Sequence, residues 1–185
     1  MIVVGASLGG LRALLEVLRG IPRSFHRSFA VVLHRHKDSD GALLDLLRQE
    51  SPLPACEPLD KEPFRPGMVY LAPADYHLLV EPTHFCLSID EPVRFARPSV
   101  DVLFESAADA FGREAIALVL TGANGDGAHG AECIKAGGGR VIVQDPATAE
   151  APQMPQAVLA RIAPDYVLSL DRIAPLLVEL TAVPQ

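Results

Sequence analysis

Short apolar runs alternate along this chain with segments whose apolar residues recur at helical spacing. Ile2-Val-Val-Gly5 is a continuous, mainly β-branched run, as a strand buried on both faces requires. Leu11, Leu14, Leu15 and Leu18 then repeat at a 3.6-residue period, predicting a helix over 9–19, with Gly5 expected to allow the reversal between the two. Phe29–Leu33 predicts a second buried strand. A helix over 40–49 is expected behind Asp38, Ser39 and Asp40, which are good helix-start residues. The Pro-rich stretch 52–66 reads as irregular, and Met68–Ala72 reads as a strand. His77–Glu81 and Phe85–Ile89 predict a short antiparallel hairpin, expected to be appended to the main sheet. Ser99 is placed to cap a helix over 99–111, whose Val100, Leu103, Phe104, Ala107 and Phe111 form one stripe. Ala115–Leu120 predicts a fully apolar strand, followed by a Gly-rich turn and a helix from Ala128 to Ala136 that Gly137-Gly-Gly139 ends. Val141–Val143, a helix near 155–161, Tyr166–Leu168 and a helix over 171–180 complete the series. The alternation predicts a doubly wound α/β fold, a mostly parallel sheet with helices on both faces and the short hairpin near 77–89. No internal repeat or low-complexity linker divides residues 1–185, so a single domain is expected.

Composition narrows the function classes. At 185 residues the chain can bury roughly 70% of its unfolded surface. With 49% hydrophobic and 21% charged residues it is not a disordered segment. The net charge of −7 is scattered, and no basic face or aromatic-rich basic stretch points to nucleic acid. The apolar start is interrupted by Arg12 and Glu16, and no later run is long enough for a bilayer, so no membrane insertion is expected. The three cysteines, Cys56, Cys86 and Cys133, are widely spaced without a C-x-x-C pair, which argues against a disulfide framework and a cysteine zinc site. A reduced, cytoplasmic protein is the expectation.

In such folds chemistry gathers beyond the carboxyl ends of the strands. The first strand delivers Ser7, the second His34, and the strand ending at Leu120 a Gly-rich loop with Asp126. A hydroxyl needs a base to become a nucleophile, imidazole is the base suited to neutral pH, and a carboxylate fixes its tautomer. Each residue also has a plainer role. Ser7 could be the N-cap of the following helix, His34 a hydrogen-bonded strand-end histidine, and Asp126 a turn residue. A metal site built from His34, His36, Asp38 and Asp40 lacks recognisable spacing. A dinucleotide loop at Gly5-x-x-x-Gly9-Gly10 departs from G-x-G-x-x-G, and histidines stand where an acidic ribose ligand is expected. Neither a metal nor a cofactor is expected.

Several blocks, in order along the chain, carry a resemblance: Gly5-Ala-Ser-Leu-Gly-Gly10, Val31-Val-Leu-His34, Pro66-Gly-Met-Val-Tyr-Leu-Ala-Pro73 with His77, Arg97-Pro-Ser-Val-Asp-Val-Leu-Phe104, Leu120-Thr-Gly122 with Asp126-Gly-Ala128, and Gln144-Asp-Pro-Ala-Thr148 with Met154-Pro155. Together they resemble the catalytic domain of the chemotaxis protein-glutamate methylesterases, the CheB family, from residue 2 to about 178. The resemblance implies that Ser7 is nucleophile, His34 base and Asp126 the supporting carboxylate. It implies hydrolysis of glutamate γ-methyl esters on cytoplasmic helices of chemoreceptors, with related deamidation of glutamine. For that reaction the backbone N–H groups near Leu8–Gly10 are the expected part of an oxyanion hole, where each donor is typically worth about 3 kcal/mol. His77 is either a site-lining residue by the family motif or a structural strand-end histidine. The chain departs from the family at Leu8, where threonine is usual, at Arg35 and His36 after the histidine, and at Ala123-Asn124-Gly125, where the family has Met-Gly-x. Family members usually carry a receiver domain before this region, whereas this chain begins almost at the first strand. Two expectations stand side by side: an excised catalytic domain, or a stand-alone or differently regulated member for which a receiver domain or other regulator in trans is a candidate partner. The departures leave a weakly active binding or regulatory module as the second function class.

Overall fold

The computed structural model describes residues 1–36 and 41–181. Nine strands and six helices are found among them: β1 (Ile2–Ala6), α1 (Gly10–Arg19), β2 (Phe29–Leu33), α2 (Ala42–Glu50), β3 (Ala55–Cys56), β4 (Val69–Leu71), β5 (His77–Val80), β6 (Phe85–Ser88), α3 (Val100–Phe111), β7 (Ile116–Val119), α4 (Ala128–Ala136), β8 (Arg140–Gln144), α5 (Gln153–Arg161), β9 (Tyr166–Leu168) and α6 (Leu170–Thr181). Seven strands form one parallel sheet in the order β3-β4-β2-β1-β7-β8-β9. The winding reverses beside β1, so the crevice between the ends of β1 and β7 is the topological switch point.

The two-residue period of a strand sorts the core into two layers. Ile2, Val4 and Ala6 of β1, with Phe29, Val31 and Leu33 of β2, pack with α1, α2 and α6. Val3, Ala30 and Val32 face the opposite layer, built on α3, α4, α5 and the hairpin. Continuing that parity, residues 7 and 34 belong to the α3 face. Both strands are apolar on both faces because helices cover both, which is why their sequences run continuously rather than alternating.

Several expectations need adjustment. The hairpin is a separate two-stranded sheet, β5 with β6, rather than an extension of the main one; it docks through β5 on α3. The Pro-rich stretch contains β3, a two-residue edge strand whose neighbour Pro54 accepts the Val69 N–H through its carbonyl at 2.9 Å. Gly5 is strand rather than turn. A Cβ there would lie 2.2 Å from Cγ1 of Val100, so its missing side chain lets α3 approach the sheet. The proposed helix-start residues Asp38, Ser39 and Asp40 lie outside the described residues.

Candidate active site

Ser7 follows β1 directly. Its N–H donates to the Thr121 carbonyl at 3.0 Å, and its own carbonyl accepts the Gly10 N–H at 2.8 Å. The N-cap of α1 is Gly9, with φ 75°, and no side chain caps the helix. The cap reading of Ser7 is therefore corrected: glycine takes the left-handed conformation, which costs it little, and the serine hydroxyl has no hydrogen-bond partner among the described residues. Thr121 locks the turn from the neighbouring strand. Its hydroxyl donates to the Leu8 carbonyl at 3.0 Å and accepts the Ala151 N–H at 2.8 Å. Its own N–H donates at 2.8 Å to Oε1 of the buried Gln144. Gly122 is required by close approach, since a Cβ there would lie 2.8 Å from Cε of Met154 and 3.0 Å from Cβ of Ser7.

His34 is the first residue beyond β2. Its N–H continues the ladder to the Ala6 carbonyl at 3.1 Å, placing it in register beside Ser7. Its Nε2 lies 2.7 Å from Oδ2 of Asp126. The carboxylate can only accept, so Nε2 carries the proton and Nδ1 is the acceptor nitrogen. Nδ1 in turn receives Nδ2 of Asn124 at 3.1 Å.

Asp126 is buried with its side chain shielded from solvent. Besides His34 it accepts the Val100 N–H (2.7 Å), the Asp101 N–H (3.0 Å) and the Ser99 hydroxyl (2.9 Å). The first two are orphan donors at the start of α3, so Asp126 serves that helix as a cap supplied from across the chain. Ser99 occupies the N-cap position, as expected, but its hydroxyl donates to Asp126 instead of capping. Burial pushes the Asp126 carboxyl up, but the hydrogen bonds from His34, Asp101 and Val100 outweigh it and hold the group below its ordinary value. Asp101, also buried, goes the other way. Desolvation raises it against the Gly130 N–H bond, and the nearby Asp126 charge raises it further.

Ser7, His34 and Asn124 line a cavity of about 480 Å³ whose wall includes Arg94, Phe95 and Arg97. Arg97 is held by Asp75 at 2.7 Å and Arg94 by Asp101 at 3.4 Å. Phe95 on that wall is exposed, as is Leu8 next to Ser7. The N–H groups of Leu8 and Gly9 have no hydrogen-bond partner among the described residues, whereas that of Gly10 is spent on Ser7. Two donors at the positive end of α1 thus remain available to an anion. His77 is structural. It is buried, accepts the Ser99 N–H on Nδ1 at 3.2 Å and sits 3.2 Å from the Glu91 carbonyl through Nε2. Among the described residues no group of three or more His, Cys, Asp or Glu could hold a metal ion, and the cysteines are free thiols. No helix among those residues is long and apolar enough to cross a membrane.

Sequence reasoning selected Ser7, His34 and Asp126, and the structure gathers all three at the switch point. It read Ser99 as a helix cap and Thr121 only within a family block, and missed the bond of Ser99 to Asp126, those of Thr121 to Leu8 and Ala151, and the contact of Asn124 with His34.

Comparison with known proteins places the chain in a family. The family model of the CheB methylesterases matches residues 2–177. A relative from Leptospira interrogans is 43% identical over 180 residues, covering 97% of this chain and 93% of its own. The protein-glutamate methylesterase/protein-glutamine glutaminase 2 of Anaeromyxobacter dehalogenans is 42% identical over 98% of this chain, which spans 53% of that protein. The crystal structure of the Thermotoga maritima CheB methylesterase catalytic domain superposes with a TM-score of 0.93 at 34% identity, covering 97% of both chains. With one parallel sheet, one hairpin and one family model accounting for nearly its whole length, the chain belongs to the CheB methylesterase family.

Proposed function

We propose that this protein removes methyl esters from glutamate side chains of chemoreceptors, and deamidates glutamines there, using Ser7 as nucleophile, His34 as base and Asp126 as the supporting carboxylate. The observation that carries the reading is the Asp126 carboxylate 2.7 Å from Nε2 of His34, with Ser7 on the same cavity. Because Asp126 accepts the Nε2–H hydrogen bond, Nδ1 is the base nitrogen. Ser7 Oγ attacks the ester carbonyl while its proton passes to Nδ1. The oxyanion that forms is met by the N–H groups of Leu8 and Gly9 at the start of α1. Collapse expels the methoxy group, which takes the proton from Nδ1 and leaves as methanol. Water then gives its proton to Nδ1 and attacks the acyl-enzyme, releasing the glutamate carboxylate and restoring Ser7. With a glutamine substrate the first leaving group is ammonia.

The substrate under this reading is a cytoplasmic helix of a methyl-accepting chemoreceptor, and the setting is the cytoplasm. A receiver domain or another regulatory protein controls the site under this reading; in support, the matched region is 53% of the Anaeromyxobacter relative and 54% of the full-length Thermotoga protein, both of which extend well beyond it. A second reading, a binding module with an idle site, is favoured by one observation, the occupation of Nδ1 by Asn124.

Methanol release from a methylated receptor cytoplasmic fragment, compared with Ser7→Ala, separates the two. Release that disappears in the variant supports the esterase. No release, but covalent labelling of Ser7 by a fluorophosphonate, points to a different ester or a missing activator. Neither release nor labelling, with both proteins folded, favours the binding module.

A further inference from the structure

In the free protein the nitrogen that must receive the Ser7 proton is already occupied. Asn124 places Nδ2 3.1 Å from Nδ1 of His34, and Oδ1 of the same side chain accepts the Asp126 N–H at 3.1 Å. The second bond fixes which end of the carboxamide faces the imidazole, because the backbone N–H must meet the oxygen. With Nε2 protonated and given to Asp126, Nδ1 has one in-plane lone pair, and that lone pair is spent on Asn124. Ser7 Oγ makes no hydrogen bond to His34, although both side chains line the cavity with Asn124. Asn124 is exposed and lies in the loop between Gly122 and Gly125, so its side chain can turn outward without displacing core residues. Asp126, by contrast, is immobilised by four donors.

Resting on the assignment of Ser7 and His34 as nucleophile and base, we infer that Asn124 is a positioning residue that holds the His34 ring by its Nδ1 in the free enzyme and must surrender that nitrogen before Ser7 can be deprotonated. The side chain therefore does two things at once. It fixes the ring in the tautomer with the proton on Nε2, and it competes with Ser7 for the base. The competition slows every reaction that begins by activating Ser7.

The test is the rate at which a fluorophosphonate labels Ser7, followed by intact mass. In that reaction the Ser7 Oγ–P bond forms, the P–F bond breaks, the hydroxyl proton passes to Nδ1 of His34, and fluoride leaves. Two variants are compared with the unaltered protein. Asn124→Gly removes the side chain. Asn124→Ser keeps an oxygen able to accept the Asp126 N–H and preserve the turn, but is too short to reach the imidazole. Both are expected to label roughly two- to ten-fold faster, the worth of one neutral hydrogen bond. In both, the ¹⁵N resonance of His34 Nδ1 should move toward that of a nitrogen without a donor, while Nε2 stays put. Labelling of Asn124→Ser at the unaltered rate would overturn the inference, because any change in Asn124→Gly would then come from the turn. Slower labelling in both would also overturn it, making Asn124 a donor that assists the reaction. Absence of labelling in all three proteins would overturn the Ser7–His34 assignment itself and this inference with it.

Discussion

Asp126→Asn preserves size and removes charge at a group that four donors share. In the protein Oδ2 accepts from Nε2 of His34 at 2.7 Å and the Val100 N–H at 2.7 Å, while Oδ1 accepts from the Ser99 hydroxyl at 2.9 Å and the Asp101 N–H at 3.0 Å. The amide of asparagine must point its NH₂ at one of these pairs. Turned toward Ser99 and Asp101, it can donate to a rotated hydroxyl but leaves the Asp101 N–H without an acceptor. Turned the other way, it orphans the Val100 N–H and forces the His34 proton onto Nδ1, where the Ser7 proton has to go. A buried orphan donor costs about 1–3 kcal/mol, and turning the surviving charge-assisted bonds into neutral ones costs about 1 kcal/mol more. The variant should therefore be less stable by about 2–4 kcal/mol at pH 7, and its methanol release should fall on the order of 10³–10⁴-fold. The sign of the pH dependence follows from the lowered carboxyl. Burial pushes it up, but the bonds from His34, Asp101 and Val100 hold it below the unfolded value of 3.8. Its contribution is thus fully present above about pH 5 and disappears as pH falls through the unfolded value toward the folded one. Urea unfolding of both proteins from pH 7 to pH 3 should show a constant stability gap down to about pH 5 that narrows below about pH 4. A gap that is absent at pH 7, or that stays flat to pH 3, would refute the idea that Asp126 works as an ionised acceptor.

Asp101 tests the opposite sign. Desolvation raises its carboxyl, so ionisation at neutral pH works against folding, and Asp101→Asn should be neutral or stabilising by about 1 kcal/mol at pH 7, an advantage that urea unfolding should find vanishing below about pH 4. Gly122→Ala would put a methyl group 3.0 Å from Cβ of Ser7; methanol release should fall at least about ten-fold while circular dichroism stays native, since small misplacements of a reacting group cost this much. Thr121→Val removes the acceptor of the buried Ala151 N–H and the donor to the Leu8 carbonyl, so urea unfolding should show a loss of about 1–3 kcal/mol. Gly5→Ala would drive a methyl group against Val100 at 2.2 Å and should destabilise by about 1–3 kcal/mol or more in the same assay, by overpacking.

Local pattern made the layers legible. β2 and β9 fall on the predicted residues Phe29–Leu33 and Tyr166–Leu168, because apolar runs bounded by polar residues leave little choice of boundary. β3 was hidden because Pro52 and Pro54 mark a breaker-rich stretch, and a two-residue edge strand has no period to detect. The three candidate side chains were legible because each follows a readable strand. The polar contacts that organise them were not. Asp126 reaches back across the chain to Ser99, Val100 and Asp101, and no rule of spacing connects a glycine-rich loop to the start of an earlier helix. Ser7 read equally well as a helix cap; only the left-handed backbone at Gly9 shows that the turn ends two residues later.

The register of β1 and β2 has an evolutionary consequence. Ala6 pairs with Leu33, so Ser7 and His34 stand one step beyond matched ends of neighbouring strands roughly 4.8 Å apart. Their separation is set by the ladder alone, and the connection over residues 20–28 has no say in it. A lineage can lengthen or rebuild that connection while nucleophile and base stay together. One residue inserted within Phe29–Leu33 would instead turn His34 to the opposite layer, away from both Ser7 and Asp126. Divergence in this family should accordingly accumulate as length changes in the connections, while the two innermost strands keep their length and vary only in which apolar residue fills each place.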